Sequence, residues 1–189
     1  MSDVSEILEK TGTVLKGHFL LASGLHSPVY WEKFRVLQYP EHTGKLCAMI
    51  AERFRGDGIQ VVAGPTTGGV ILAFEVARQM GVRAIYAERD DAGGRTFRRA
   101  QWISPGERVL VVDDVMTAGG SVRDVIEAVH AVGGEVAGIG VLVDRSGGPP
   151  DFGAPFYSCL RTSAETYAPE ECPQCAAGLP LTKPGSGSA

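Results

Sequence analysis

The stretch Val109-Leu-Val-Val-Asp-Asp-Val-Met-Thr-Ala-Gly-Gly-Ser121 joins an apolar strand, two adjacent acids and a turn of small residues. Beyond it, apolar residues recur every three or four positions, the spacing of one helix face: Val122, Val125, Ile126, Val129 and Val132. A buried strand that passes through a short turn into an amphipathic helix begins a βαβ unit. The stretch therefore predicts an α/β fold.

The same alternation continues on both sides of this stretch. Short, β-branched apolar runs at residues 60–63, 83–87, 108–112 and 136–143 predict parallel strands covered on both faces. Helical patterns at residues 46–54 and 70–80 precede and follow the first of these strands. Together they predict a doubly wound parallel sheet whose strand-to-helix loops share one edge, where ligands of such sheets bind.

The length of the chain, 189 residues, is sufficient for one domain with its own apolar core. We predict a single domain over residues 1–183, with a core at about 41–144. A small hood is expected from about 17–40 and 145–181, because both segments are rich in turn residues and aromatics. The Gly/Ser-rich residues 184–189 are expected to form a flexible tail.

Charge and hydropathy exclude several classes of protein. A net charge of −4 argues against a binder of nucleic acid or anionic membranes, since both need a basic surface. No run approaches the roughly 20 apolar residues of a membrane span. The N-terminus carries Asp3 and Glu6 where a signal peptide has basic residues. We therefore predict a cytoplasmic protein without nucleic-acid or membrane partners.

The small-residue turn and the two acids have different chemical uses. Thr117, Ala118, Gly119, Gly120 and Ser121 offer backbone N–H groups and hydroxyls at a helix start, which favours a phosphate. Asp113 and Asp114 would repel that phosphate, so they are expected to accept hydrogen bonds from the hydroxyls of an attached ribose. The stretch thus indicates a sugar-phosphate site.

The whole stretch resembles the signature of type I phosphoribosyltransferases, which bind 5-phosphoribosyl-1-pyrophosphate (PRPP). The resemblance implies that Asp113 to Ser121, including Val115 and Met116, bind PRPP, and that Mg²⁺ binds mainly through PRPP itself. It implies the fold of that family and a homodimer. Asp113 and Asp114 are the first candidate catalytic residues.

Further motifs are similar to those of orotate phosphoribosyltransferases. Residues 17–30, with their Phe-x-x-x-Ser-Gly pattern, resemble the segment lining the orotate pocket, which implicates Tyr30. Residues 143–148 resemble the segment that supplies an orotate-contacting arginine, here Arg145, and Thr117 is a third candidate contact. The implied enzyme is a pentosyltransferase that converts orotate and PRPP to orotidine 5′-monophosphate in pyrimidine synthesis. A phosphoribosyltransferase for a purine and a PRPP-sensing regulator are the alternatives.

The chain departs from many family members in its charges. The segment 88–99 lacks the lysine and histidine of a catalytic loop and resembles a shorter, arginine-rich variant. Its four arginines are therefore the candidates for holding pyrophosphate, with Arg89 and Arg95 as catalytic candidates: Arg89, Arg95, Arg98 and Arg99. Ala22 and Gly68 stand where lysines are frequent.

The pair Cys172 and Cys175 has the spacing of half a zinc site. Since Cys47 and Cys159 lie in apolar runs, the pair predicts a plain turn, with a disulfide or a shared metal site as alternatives. His18 and His26 flank the orotate-like segment and are interpreted as hydrogen-bonded or surface residues, with lining of the pocket as the alternative.

Overall fold

A computed structural model describes residues 4–21, 23–148, 151–163 and 165–184. Ala22 and residues 185–189 of the predicted tail lie outside the described residues. The elements follow in this order: α1 (Val4–Lys10), β1 (Val14–Leu20), β2 (His26–Trp31), α2 (Phe34–Leu37), α3 (Pro40–Arg53), β3 (Val61–Pro65), α4 (Gly68–Met80), β4 (Arg83–Arg89), β5 (Arg95–Phe97), β6 (Arg108–Met116), α5 (Gly120–Ala131), β7 (Glu135–Asp144), β8 (Phe156–Arg161) and α6 (Pro173–Ala176).

The central sheet has the strand order β5-β4-β3-β6-β7-β8. All neighbours in it are parallel except β4 and β5, which are antiparallel. After β3 the chain continues to β4, towards one edge of the sheet, and after β6 it continues to β7, towards the opposite edge. The predicted doubly wound sheet is thus confirmed, and its switch point lies between the carboxyl ends of β3 and β6.

Helices cover both faces of this sheet. On one face, α1 to α4 pack through a cluster that includes the fully buried Leu46, Ile50 and Phe54. On the other face, α5 buries Val122 and Val125 against the strands. The spacing of apolar residues predicted both helix faces, because only residues three or four apart point the same way.

The sheet extends further than the sequence predicted. Strand β8 comes from the segment 145–181 that was expected to belong to the hood, and Ser158 in it pairs with Val141 of β7. Most of its side chains are half-buried at the edge of the sheet. An edge strand does not need the continuous apolar run of the inner strands, and β8 has none. The short antiparallel β5 is a second edge strand without such a run.

The β1–β2 hairpin and the chain after β8 contact each other, and we use the name hood for these two parts. The hairpin is antiparallel, and it bridges to the C-terminal segment through Phe19 with Thr182 and His26 with Tyr167. Within the described ranges, no helix has the length and apolar character needed to cross a membrane. The cytoplasmic location stays a prediction.

Candidate active site

The candidate site lies at the carboxyl ends of β3, β6 and β7. The backbone N–H of Arg145, just after β7, donates to the carbonyl oxygen of Met116 at the end of β6 (2.8 Å). The ammonium of Lys33, just after β2, lies 3.0 Å from the carboxylate of Asp114. The sheet topology and these two contacts gather the loops after three strands, together with the hairpin, around one place.

Asp113 and Asp114 are buried here, with 7% and 1% of their surface exposed. A carboxylate oxygen of Asp113 accepts the backbone N–H of Asp114 (2.8 Å), and one of Asp114 accepts that of Val115 (2.6 Å). Burial, followed by the charge of Asp114, raises the pKa of Asp113 to about 7. Two neighbouring buried carboxylates are costly, so they need cations or hydrogen-bond donors nearby.

Lys33 is the functional residue that sequence reasoning missed. Burial opposes its charge, but the carboxylates of Asp114 and Asp113 outweigh that effect and raise the pKa of Lys33. The half-buried ammonium therefore stays charged and partly neutralises the acid pair. The available signal was its position three residues beyond Tyr30, the end of the orotate-like segment.

Gly68 is required by a close approach to Asp114. A Cβ built on Gly68 would overlap Asp114 Oδ2. That oxygen is buried and has no hydrogen-bond partner among the described residues. The absence of a side chain at the start of α4 thus lets the acid sit against the helix, with one carboxylate oxygen that no described residue satisfies. This contact gives a physical reason why the chain has no lysine at this position.

The small-residue turn leads directly into α5. Gly119, the N-cap, has a left-handed conformation (φ 77°), and a Cβ there would lie 2.9 Å from the ring of Phe152. Thr117, Ala118 and Gly120 are exposed. The first N–H groups of a helix have no acceptors within it, so this turn presents donors to an anion.

Tyr30 and Arg145 were both predicted to contact orotate, from segments far apart in the sequence. In the structure they lie close enough to influence each other's ionisation. Burial raises the pKa of Tyr30, with smaller effects from Glu32 and other neighbours, and lowers that of Arg145. The guanidinium of Arg145 stacks over the Trp31 ring at 5.9 Å, and its buried Nε has no hydrogen-bond partner among the described residues. A half-buried guanidinium with an unused donor is suited to an anionic ligand.

The four arginines of segment 88–99 occupy different environments. Arg95 is buried, and it donates to the hydroxyl of Thr66 (3.1 Å) and the carbonyl of Ala87 (3.0 Å). Arg99 is exposed and paired with Glu88 at 3.0 Å. Arg95 therefore holds the loop after β3, in which the Thr66–Thr67 peptide is cis. Arg99 follows β5 and is tied to Glu88 of the neighbouring strand β4.

Arg89 and Arg98 are the two exposed arginines of this segment without an ion-pair partner in the described part of the chain. Arg89 ends β4, and its charge acts on Arg95, whose pKa is lowered by burial and then by Arg89. Both guanidinium groups are therefore available to an anion. The sequence alone could not separate the four, because it gives no burial and no partners.

Comparisons with known proteins identify the family of the chain. The family described as "Phosphoribosyl transferase domain" matches residues 36–171. A protein of Caldanaerobacter subterraneus subsp. tengcongensis named orotate phosphoribosyltransferase is 54% identical over 97% of this chain and 96% of its own length.

Solved structures agree as well. The crystal structure of orotate phosphoribosyltransferase from Aeropyrum pernix is 30% identical, with a TM-score of 0.73 over 84% of this chain and 93% of that one. Adenine phosphoribosyltransferase from Rhodothermus marinus, at 22% identity and a TM-score of 0.65, covers 84% of this chain and 99% of that one. The second likeness concerns the fold alone, so the fold does not select the base.

The raised pKa of Asp113 makes stability depend on pH. Between about 3.8 in the unfolded chain and about 7 in the folded one, the folded state binds more protons. This carboxyl therefore destabilises the protein increasingly as pH rises through that window. The Asp113→Asn variant lacks this pH-dependent destabilisation. The difference between its free energy of unfolding and that of the wild type should therefore grow from about pH 5 to pH 7.5, by on the order of a few kcal/mol. Urea unfolding at several pH values measures this; a difference independent of pH would contradict it.

A methyl group at position 68 should displace Asp114. We expect Gly68→Ala to lower the free energy of unfolding by roughly 1–3 kcal/mol, since the added atom must push aside a buried carboxylate. Gly56→Ala is the matched control, because a Cβ there meets nothing within 4 Å. It should change stability by less than about 1 kcal/mol. Equal effects in urea unfolding would show that the contact is not restrictive.

Proposed function

We propose that this chain, which belongs to the orotate phosphoribosyltransferase family, transfers ribose 5-phosphate from PRPP to orotate and yields orotidine 5′-monophosphate and pyrophosphate. The observation that carries the proposal is the meeting of the Asp113–Asp114 pair, the turn at 117–121 and Arg145 at one sheet edge, where the backbone N–H of Arg145 donates to Met116 O. The relatives that match nearly the full chain bear the name of that activity, which supports the choice of base.

The ribose 5-phosphate is proposed to bind at the switch point of the sheet. The N–H groups of the turn from Thr117 to Ser121 receive the 5-phosphate at the start of α5. Asp113 and Asp114 accept hydrogen bonds from the ribose hydroxyls, and the unpartnered Oδ2 of Asp114 supports this role. Ionised acceptors are needed for it, so ligand binding should draw Asp113 towards its charged form.

Orotate is proposed to bind between the hairpin and the loop after β7. Its carboxylate is a partner for the guanidinium of Arg145, and Tyr30 and Thr117 complete the contacts. Lys33 adds a second cation at the boundary between the base and the ribose. An anionic base suits the half-buried guanidinium of Arg145, which has no ion-pair partner among the described residues, better than a neutral purine does, because a buried charge needs a counter-charge.

The leaving pyrophosphate is proposed to meet Arg89 and Arg98, with Arg95 fixing the loop at Thr66. The site fits Mg²⁺ carried in by PRPP, since Asp113 and Asp114 are carboxylates, the type of ligand that this ion prefers, and Mg²⁺ is expected to bind mainly through PRPP itself. When bound, Mg²⁺ neutralises charge on the pyrophosphate. Fixed guanidinium groups stabilise the same charge as it develops in the transition state.

The proposed reaction needs little covalent work from the protein. The bond from ribose C1 to pyrophosphate breaks, C1 gains oxocarbenium character, and the orotate ring nitrogen attacks from the opposite face. The N–H proton of orotate passes to solvent or to the departing pyrophosphate. Rate enhancement therefore rests on alignment and electrostatics, and we assign no general base.

A homodimer is part of the proposal. Helix α4 exposes Phe74 (65%) and Ile71 (38%) beside the groove that they line with Leu37 and Pro40. Exposed apolar patches of this kind mark association surfaces in soluble proteins. The same helix begins at Gly68 in the candidate site, so a second copy seated there would lie next to the loop after β3.

The base is tested by incubating the protein with PRPP and Mg²⁺ in the presence of orotate, adenine, guanine or xanthine. Among the four bases, we expect turnover only with orotate. The loss of orotate absorbance and the release of pyrophosphate measure it. Asp113→Asn with Asp114→Asn should lower turnover by at least about 10³-fold, because the ribose loses its charged acceptors. Turnover only with a purine, or full activity of the double variant, would contradict the proposal.

The arginines are tested by single alanine variants. Arg89→Ala should lower kcat/KM for PRPP by about 10²-fold, since it removes a free guanidinium from the leaving-group side. Arg99→Ala is the matched control from the same segment, because its guanidinium is tied to Glu88. It should change kcat/KM by less than about threefold. The opposite ranking would assign the pyrophosphate contact to Arg99.

A further inference from the structure

Two histidines and two cysteines converge within the hood, outside the candidate active site. His18, His26 and Cys172 are buried and Cys175 is exposed, and one ligand atom from each lies within 4.8 Å of all the others. The histidines come from the β1–β2 hairpin, and the cysteines come from a turn more than 140 residues later. The hydrogen-bonded or surface role predicted for the histidines, and the plain turn predicted for the cysteines, leave this convergence unexplained.

Four of the six distances between the ligand atoms match those of a tetrahedral metal site, and the other two are at most 4.8 Å. Zinc bonds of roughly 2.0–2.1 Å to nitrogen and 2.3 Å to sulfur separate the ligand atoms of a tetrahedron by about 3.3–3.8 Å. In the protein, His18 Nε2 lies 3.1 Å from His26 Nδ1 and 3.5 Å from Cys172 Sγ. Cys175 Sγ lies 3.3 Å from His26 Nδ1 and 3.7 Å from His18 Nε2. All four distances agree with the tetrahedron to within a few tenths of an ångström.

Hydrogen bonding among the four side chains does not account for the cluster. His18 Nδ1 lies 2.9 Å from the carbonyl oxygen of Leu179, which can only accept, so the ring proton is on Nδ1. His18 Nε2 then has one lone pair, yet His26, Cys172 and Cys175 all approach it. A single lone pair can accept from only one of these three neighbours, whereas a cation at the centre satisfies all four ligands. The bond to Leu179 also orients the ring as second-shell partners of metal ligands do.

From this geometry we propose that His18, His26, Cys172 and Cys175 bind one structural Zn²⁺ ion. Two nitrogen and two sulfur ligands in a tetrahedral arrangement are characteristic of zinc. On binding, both thiols lose their protons to solvent, and two thiolates neutralise the charge of the ion. Four protein ligands leave no open position, so the site is structural rather than catalytic.

The C-terminal segment has little else to stabilise its packing. Among its described residues from 163 to 184, Cys172 is the only buried side chain. Backbone contacts attach it to the hairpin, such as Thr182 N–H to His18 O (2.8 Å), and the side chain of Gln174 donates to Gly17 O (2.8 Å). A segment that buries so little apolar surface needs a cross-link to stay ordered. The proposed ion supplies it between the two parts of the hood.

The test uses the full chain without an affinity tag, purified in reducing buffer free of chelators. Elemental analysis should find one zinc ion per chain. The Co²⁺-substituted protein should show the intense visible bands of tetrahedral cobalt and a thiolate-to-cobalt charge-transfer band. Removal of zinc by a chelator should lower the thermal unfolding temperature by more than about 5 °C, and added zinc should restore it.

Matched double variants locate the ion. Cys172→Ala with Cys175→Ala should lose the zinc and the cobalt spectrum, whereas Cys47→Ala with Cys159→Ala, which removes the same number of thiols, should keep both. The cobalt spectrum of the wild-type chain tests the ligands even if the first variant folds poorly. The proposal is overturned if wild-type protein contains no zinc and takes up neither zinc nor cobalt. It is also overturned if the first variant retains the metal, or if Cys172 and Cys175 form a disulfide in the reduced preparation.

Discussion

The burial of two adjacent carboxylates at the end of β6 is the constraint on which the site depends. Asp113 and Asp114 lie where the sheet excludes water, and burial raises the pKa of Asp113. Lys33 approaches from the hairpin and compensates part of this charge. Gly68 has no side chain and leaves room for the second acid. The hairpin and the start of α4 are thus both adapted to the same pair of acids.

The arginines around this pair differ in how deeply they are buried. Arg95 is buried and holds the loop after β3 through Thr66, whereas Arg89 and Arg98 remain exposed. Arg145 is half-buried against Trp31 and retains an unused donor. A ligand with several negative charges would therefore meet exposed guanidinium groups at Arg89 and Arg98 and a half-buried one at Arg145. Such an arrangement stabilises charge that moves during a reaction at little cost in reorganisation.

The hood depends on the contacts between its two ends. Its N-terminal hairpin carries Tyr30 and leads to Lys33 in the site, and its C-terminal segment contributes almost no apolar core. Backbone bridges and the cluster formed by His18, His26 and the two C-terminal cysteines join these parts. The position of the base-side residues therefore rests on an attachment at the far end of the hairpin.

The sequence by itself determined the inner strands, the helices between them and the small-residue turn before α5, because these follow from local periodicity and from contiguous residues such as Asp113 to Ser121. It did not determine the edge strand β8, whose half-buried side chains lack a clear pattern. Only the tertiary structure brought Lys33 to Asp114, distinguished Arg95 from Arg99, and placed His18 beside Cys172. Such pairings join residues distant in the chain, and burial and distance across a fold are not encoded in local spacing.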